Sequence, residues 1–247
     1  MFPTIVANNE QLCTFVEQLE LPLSAPQLRH VTNVADGLLV TEGRKTIAAI
    51  HRQFVDCPDP SNMADAFRIA PWQAEDILNP LTQFMIEDMI RDLRAKEDRP
   101  VVLVGLDDSL AIKDPDTRHL QGVDFHRDHA AKRRLRGKYQ NALAYLECTV
   151  MAGGRTYTFA AEPYLRERTV RRLNRQRRNG PRLRYKSKYR LARQTLERLR
   201  ALLPNDVQVY VLCDAWYASA RLIKYCRRQG WRVICRVHRC YHPATSC

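Results

Sequence analysis

Apolar residues recur every three or four positions through the first part of the chain, which is the spacing of amphipathic helices. The helical stretches are residues 9–30, 26–56 and 63–93. Turn-forming residues at 41–44 and 57–61 separate helices from one another. A polar connector, 96–100, follows the last helical stretch. We therefore predict an all-α N-terminal domain over residues 1–97.

The pattern changes at residue 98, after which short runs of β-branched and aromatic residues alternate with helical stretches. The strand-like runs are residues 101–109, 141–150, 155–161, 207–213 and 231–237. The helical stretches are residues 186–203 and 218–229. Gly153 and Gly154 join the second and third runs as a hairpin. The sequence therefore predicts an α/β domain over residues 98–247.

The order of these elements predicts how the sheet is built. Three strands in succession form a meander, and two further strands each follow a helix, as in crossover connections. This is the mixed-sheet order of the ribonuclease H-like fold, in which the first strand lies beside the strand that follows the first long helix. The predicted fold class is therefore α/β, a ribonuclease H-like mixed sheet core preceded by an all-α N-terminal domain.

Two of the predicted strands end in carboxylates. The first run ends in Asp107 and Asp108, and the run over residues 207–213 ends in Asp214. Side chains at the carboxyl ends of such strands face the crevice where open α/β sheets bind ligands. Two strand-end carboxylates could hold a hard divalent cation such as Mg²⁺. The alternative is that each acid caps the turn or helix that follows it, since Asp is common there.

The charge of the chain is strongly uneven. The net charge is +13, with a pI near 9.6. Residues 132–200 hold 21 Lys and Arg against 4 Glu and no Asp, whereas the rest of the chain holds 19 basic against 23 acidic residues. Such a block predicts a polyanionic partner, above all nucleic acid. The alternative is a solvated face of a long helix.

The predicted contacts to DNA phosphates lie within the arginine-rich part of this block, where Arg side chains match phosphate oxygens. The candidate residues are Arg171, Arg172, Arg175, Arg177, Arg178, Arg182, Arg184, Lys186 and Lys188.

Eight cysteines occur without a secretory pattern or a long apolar run, so we expect reduced thiols, a cytoplasmic location and no membrane partner. A zinc site is the alternative for the C-terminal group Cys235, His238, Cys240, His242 and Cys247, although its spacing matches no recognised zinc finger. His119, His126 and His129 follow the first strand and are interpreted as part of a polar loop rather than as metal ligands.

Three stretches together resemble DDE-type transposases of the IS4-like superfamily, nearest the IS701-type family. Asp107-Asp108-Ser109, with Lys113, resembles the first acidic motif of that family. Residues 213–219, Cys-Asp-Ala-Trp-Tyr-Ala-Ser, are similar to its second acidic motif. Residues 37–47, with Phe67 and Trp72, resemble its helical leader.

The resemblance implies an enzyme that cuts DNA strands and transfers them during transposition with the help of Mg²⁺ or Mn²⁺. It implies Asp107 as the first acid, with Asp108 as the alternative, and Asp214 as the second. It also implies transposon ends and target DNA as partners, a homo-oligomer, and a bacterial protein associated with the nucleoid. The N-terminal domain would bind DNA ends or a sister subunit.

The sequence departs from the family in one respect. The family has a third acid, a Glu on a later helix, whereas no carboxylate side chain follows Asp214 in this chain. We therefore expect a C-terminally truncated chain that is inactive alone. The alternative function is a non-catalytic nucleic-acid-binding protein, such as a regulator of transposition.

Overall fold

The computed structural model describes residues 5–56, 60–96, 98–128 and 139–236. The chain divides into two compact units, Met1–Met85 and Ile86–Cys247. No helix among the described residues is long and apolar enough to cross a membrane.

The first unit is built from helices. They are α1 (Glu10–Gln18), α2 (Ala25–Val40), α3 (Ile47–His51), α4 (Pro60–Arg68) and the beginning of α5 (Glu75–Arg94). Asn9 begins α1 because its side chain accepts hydrogen bonds from the backbone of Gln11 and Leu12. The predicted helix over 9–30 is interrupted, since Glu20 takes a positive φ of 47° and α2 begins only after the Ser24 cap.

The second unit is built on one six-stranded sheet. Its strands are β1 (Val101–Ile112), β2 (Asp124–Arg127), β3 (Tyr139–Ala152), β4 (Arg155–Tyr164), β5 (Gln208–Cys213) and β6 (Arg232–Cys235). Along the sheet the order is β4, β3, β1, β5, β6, and β2 pairs with the beginning of β3 on the same side as β4. β1 is antiparallel to β3 and parallel to β5, and β5 is parallel to β6. This confirms the predicted mixed α/β sheet, with the first strand beside the strand that follows the long helix.

Among the described residues, this unit also contains the helices α6 (Glu167–Gln176), α7 (Lys188–Leu202) and α8 (Ala220–Arg228). One face of β1 lies against the core, because Val102, Val104 and Leu106 are buried while the residues between them are partly exposed. They pack in one core with residues of β5 and α7. The predicted strands and the two predicted helices of this part are therefore confirmed, whereas β2 and α6 were not predicted.

The division between the two compact units falls inside α5. Ile86, Met89, Ile90 and Leu93 belong to the same core as the sheet. The second half of α5 is thus part of the second unit because its apolar stripe is buried there.

Candidate active site

Asp107 and Asp214 follow the last paired residues of two adjacent parallel strands. The β1–β5 ladder ends with Leu106 opposite Cys213, so each acid directly follows the last pair of the ladder, Asp107 within β1 and Asp214 just after β5. Both side chains belong to exposed residues. Both border a cavity of about 400 Å³ and a second cavity of about 800 Å³. The structure therefore brings the two predicted acids to one place on the sheet.

One oxygen of Asp214 shapes the turn after β5. Asp214 Oδ1 accepts hydrogen bonds from the backbone N–H groups of Trp216 at 2.9 Å and Tyr217 at 3.2 Å. The turn-capping role considered as the alternative for this acid is therefore present. It does not compete with ligand binding, because a carboxylate has two oxygens with about four lone-pair sites.

Asp107 lies on the exposed face of the sheet, and its Oδ1 accepts the backbone N–H of Asp108 at 2.8 Å. It pairs in register with Glu147 of β3, which borders the smaller cavity together with both acids. Sequence reasoning missed Glu147, whose alternation with buried residues on β3 was the available signal. Among the described residues, no group of three or more His, Cys, Asp or Glu is arranged to hold a metal ion.

Asp108 is held on the opposite side of the strand by two partners. Its carboxylate accepts a hydrogen bond from the Tyr217 hydroxyl and forms an ion pair with Lys188 at the start of α7. Tyr217 is fully buried, and burial followed by the bond to Asp108 raises the pKa of its hydroxyl. The side chains of Asp108 and Lys188 are only 27% and 21% exposed. Asp108 is therefore already engaged within the protein.

Asp107 and Asp108 both line the larger cavity, although neighbouring residues of a strand point to opposite faces. β1 continues to Ile112, whereas its pairing with β5 ends at Leu106. The partners of Asp108 therefore distinguish the two acids, and the cavity lining does not.

His126 lies in β2 and not in a polar loop, which corrects the prediction for this residue. It is 8% exposed, packs edge-on against Tyr164 and borders the larger cavity. Burial lowers the pKa of His126, although Asp124 opposes the shift. His119 is exposed between β1 and β2, and His129 lies outside the described residues.

Cys235 is the one member of the C-terminal Cys/His group that the structure describes, and the other four lie outside the described residues. Cys235 pairs in register with Cys213, and both border the smaller cavity. Burial, followed by the neighbouring Cys235 and Asp214, raises the pKa of Cys213 to about 12. The Cys213 thiol is therefore protonated at neutral pH.

The predicted DNA-contacting residues lie on α6, on the segment that follows it, and at the start of α7. Those in exposed positions are Arg171, Arg172, Arg175, Arg177, Arg178, Arg182, Arg184 and Lys186. Arg172 also donates to the backbone carbonyls of Gln121 and Val123 at 3.2 and 3.3 Å. Two of the candidates have acidic partners: Arg171 pairs with Glu167 at 2.6 Å, and the partly buried Lys188 pairs with Asp108.

Asp124 fixes α6 to the sheet and was not recognised from the sequence as a structural residue. Its carboxylate forms an ion pair with Arg168 and accepts a hydrogen bond from the Thr169 hydroxyl at 2.5 Å. Burial acts to raise the pKa of Asp124, but the bonds from Arg168, Thr169 and the Phe125 backbone outweigh it and hold the pKa at about 2.

The chain is thus an α/β protein in which two adjacent parallel strands each present a carboxylate at the end of their ladder. The family model for DDE superfamily endonucleases matches residues 18–242 of the chain. The chain therefore belongs to the DDE superfamily of endonucleases. Proteins of this superfamily generally use divalent metal ions.

Among solved structures, the chain is similar to a piggyBac transposase in a synaptic complex with hairpin DNA, at 13% identity and a TM-score of 0.39. It is also similar to the Mos1 strand transfer complex, at 10% identity and a TM-score of 0.28. The matches cover 95% and 96% of this chain but 49% and 61% of those chains. The chain thus spans about half the length of the piggyBac protein. No curated protein sequence matches it significantly.

Proposed function

We propose that this chain is a DDE transposase of the IS4-like superfamily, nearest the IS701-type family, whose ribonuclease H-like sheet acts in metal-dependent cleavage and transfer of DNA strands. The observation that carries the proposal is the position of Asp107 and Asp214, each directly after the last pair of the β1–β5 ladder and both bordering the same two cavities. Adjacent strands lie about 4.8 Å apart, so the two acids start from neighbouring backbone positions.

The donor chemistry of this site fits a hard divalent cation. Asp107 and Asp214 offer carboxylate oxygens, which Mg²⁺ and Mn²⁺ prefer. Such an ion, when bound, would activate the attacking water or 3′-hydroxyl and stabilise the leaving oxygen of the phosphodiester. Within this proposal Asp107 is the first acid, because Asp108 is already bound to Tyr217 and Lys188.

The basic surface supplies the proposed partner. Exposed arginines of α6 and the segment after it would contact the phosphates of transposon ends and target DNA. Residues 1–97 would bind DNA ends or a second subunit of a homo-oligomer on the bacterial nucleoid. The third family acid, a Glu, has no counterpart in residues 215–247, which contain no carboxylate side chain. We therefore propose that residues 1–247 alone are inactive or cleave DNA only weakly.

Nicking of supercoiled plasmid DNA in Mn²⁺ tests the proposal. We expect weak nicking by the wild-type protein, its loss in Asp107→Asn and Asp214→Asn, and no change in Asp116→Asn, which alters an exposed acid outside both cavities. All three variants should still bind DNA. Nicking that survives in both active-site variants would contradict the assignment of these acids.

The second candidate is a non-catalytic DNA-binding protein that regulates transposition, and the exposed arginines favour it equally. It differs in needing no metal. Salt-sensitive DNA binding by a wild-type protein that never nicks DNA, with or without Mn²⁺, would support this candidate over the first.

A further inference from the structure

Residues 177–184 connect α6 to the segment that leads into α7, and they form a highly basic loop. Its four arginines are Arg177, Arg178, Arg182 and Arg184, and the loop contains no acidic residue. All four belong to exposed residues. Like charges so close together repel one another, which favours an extended and disordered segment.

The loop is nevertheless closed by specific hydrogen bonds. Asn174, on α6, donates from Nδ2 to the carbonyl of Leu183 at 2.9 Å and accepts from the N–H of Leu183 at 2.8 Å. Its side chain thus pairs with both backbone polar groups of one residue, as a neighbouring strand would. Arg177 donates to the carbonyl of Pro181 at 2.6 Å, and Gly180 supplies the turn with a φ of 94°.

Both ends of this segment are tied to the sheet. Before the loop, Asp124 of β2 binds Arg168 and Thr169 of α6. After the loop, Lys188 at the start of α7 is paired with Asp108, the neighbour of Asp107. The arginines therefore project from a closed loop whose flanking helices are fixed to the sheet, α6 to β2 and α7 to β1, the strand that carries Asp107.

We propose that the loop 177–184, closed by Asn174, is a pre-shaped contact for the phosphate backbone of duplex DNA. This inference rests on the proposed function, and it adds which segment contacts the DNA phosphates and why that segment is ordered. The hydrogen bonds that close the loop hold the arginines together in the free protein, despite their repulsion. Less conformational entropy is therefore lost when the loop binds DNA. If these arginines only faced solvent, the loop would need no fixed shape. The Asn174 side chain nevertheless fixes it by bonding to both the N–H and the carbonyl of Leu183.

The test is a fluorescence anisotropy titration of a labelled DNA duplex at KCl concentrations from about 50 to 200 mM. Arg178→Gln, Arg182→Gln and Arg184→Gln are combined in one variant, which leaves Arg177 in place for its bond to Pro181. The matched control combines Arg221→Gln, Arg227→Gln and Arg228→Gln on α8, which removes the same charge from exposed positions.

We expect the loop variant to reduce the slope of log affinity against log salt by about 2.7, since each phosphate contact contributes about 0.9. The α8 control should change the slope by less than about 1. Asn174→Ala keeps every charge, so it should leave the slope unchanged and weaken binding about tenfold, as expected when hydrogen bonds that order the loop are lost.

Two results would overturn the inference while the proposed function stands: equal slope changes in the loop variant and the α8 control, or wild-type affinity in Asn174→Ala. Failure of the wild-type protein to bind duplex DNA would overturn both. Circular dichroism of each variant checks folding, and the arginine variant decides the question if Asn174→Ala does not fold.

Discussion

The hydroxyl of Tyr217 donates a hydrogen bond to the carboxylate of Asp108, which joins the turn after β5 to the central strand β1. The two residues are 109 positions apart in sequence. Tyr217 lies three residues after Asp214, and Asp108 directly follows Asp107. The bond therefore links the two segments that carry the proposed metal ligands without using either ligand.

Replacing Tyr217 by Phe should destabilise the protein by about 1.5 to 3 kcal/mol, because it removes a hydrogen bond to a charged and half-buried carboxylate. Urea unfolding followed by circular dichroism measures the change. Tyr139→Phe is the matched control, since Tyr139 is 55% exposed and should change the stability by less than about 0.5 kcal/mol. Equal effects of the two substitutions would show that the bond contributes nothing.

Divalent metal should raise the melting temperature of the wild-type protein, because a ligand that binds only the folded state stabilises it by about 2.7 kcal/mol at 100 times its Kd. Asp107→Asn and Asp214→Asn should remove most of this effect. Differential scanning fluorimetry with Mn²⁺ measures it, and Glu162→Gln, outside both cavities, is the control. A metal effect that survives in Asp107→Asn but disappears in Asp108→Asn would identify Asp108 as the ligand instead.

The attachment of α6 to the sheet should weaken in acid. The pKa of Asp124 is held at about 2, below its ordinary 3.8, so the ionised form is favoured by folding. Its stabilisation is complete above about pH 5 and is lost as the pH falls from about 4 to 2. We expect about 1 to 2 kcal/mol, because the 59% exposure of Arg168 lets solvent screen the ion pair.

The stability difference between the wild-type protein and Asp124→Asn, measured by urea unfolding, should therefore shrink between pH 6 and pH 3. Arg168→Met should reduce the same pH dependence, because it removes the principal partner of the carboxylate. A difference that stays constant down to pH 3 would contradict the role of this ion pair.

Gly37→Ala should loosen the first unit. A Cβ at this position of α2 would lie 2.4 Å from Cγ2 of Ile50, which is buried in α3. Overpacking of this kind costs about 1 to 3 kcal/mol and outweighs the gain of about 1 kcal/mol in helix propensity. Hydrogen exchange of α2 and α3 should therefore become faster. In an Ile50→Ala background, which removes Cγ2, the same substitution should no longer accelerate exchange.

The sequence predicted the sheet well because most of its strands carry short runs of apolar, β-branched and aromatic residues that end at clear turns. It did not predict β2, whose residues Asp124–Arg127 mix one aromatic with charged and polar side chains. It did not predict α6 either, since Arg side chains surround the few buried positions, Thr169 and Val170. Both elements are held by contacts between distant residues, which a local pattern cannot contain.

The candidate site shows the same division. Asp107 and Asp214 could be predicted because strand ends and motifs are local features. The partners of Asp108 could not, because Tyr217 and Lys188 approach it across 109 and 80 positions of sequence. The alternation of Glu147 with buried residues indicates a partly exposed face of β3, but it does not identify the opposite residue. The position of Glu147 opposite Asp107 depends on the register of two strands, which the sequence does not fix.

The β1–β5 ladder determines the distance between the backbones of Asp107 and Asp214. Their backbone separation is set by main-chain hydrogen bonds between strands, which every residue except proline forms in the same way. Exchanges among the apolar side chains beneath the ladder leave that length unchanged. The distance between the two acids therefore depends on the backbone of the ladder and tolerates changes in the apolar residues that support it.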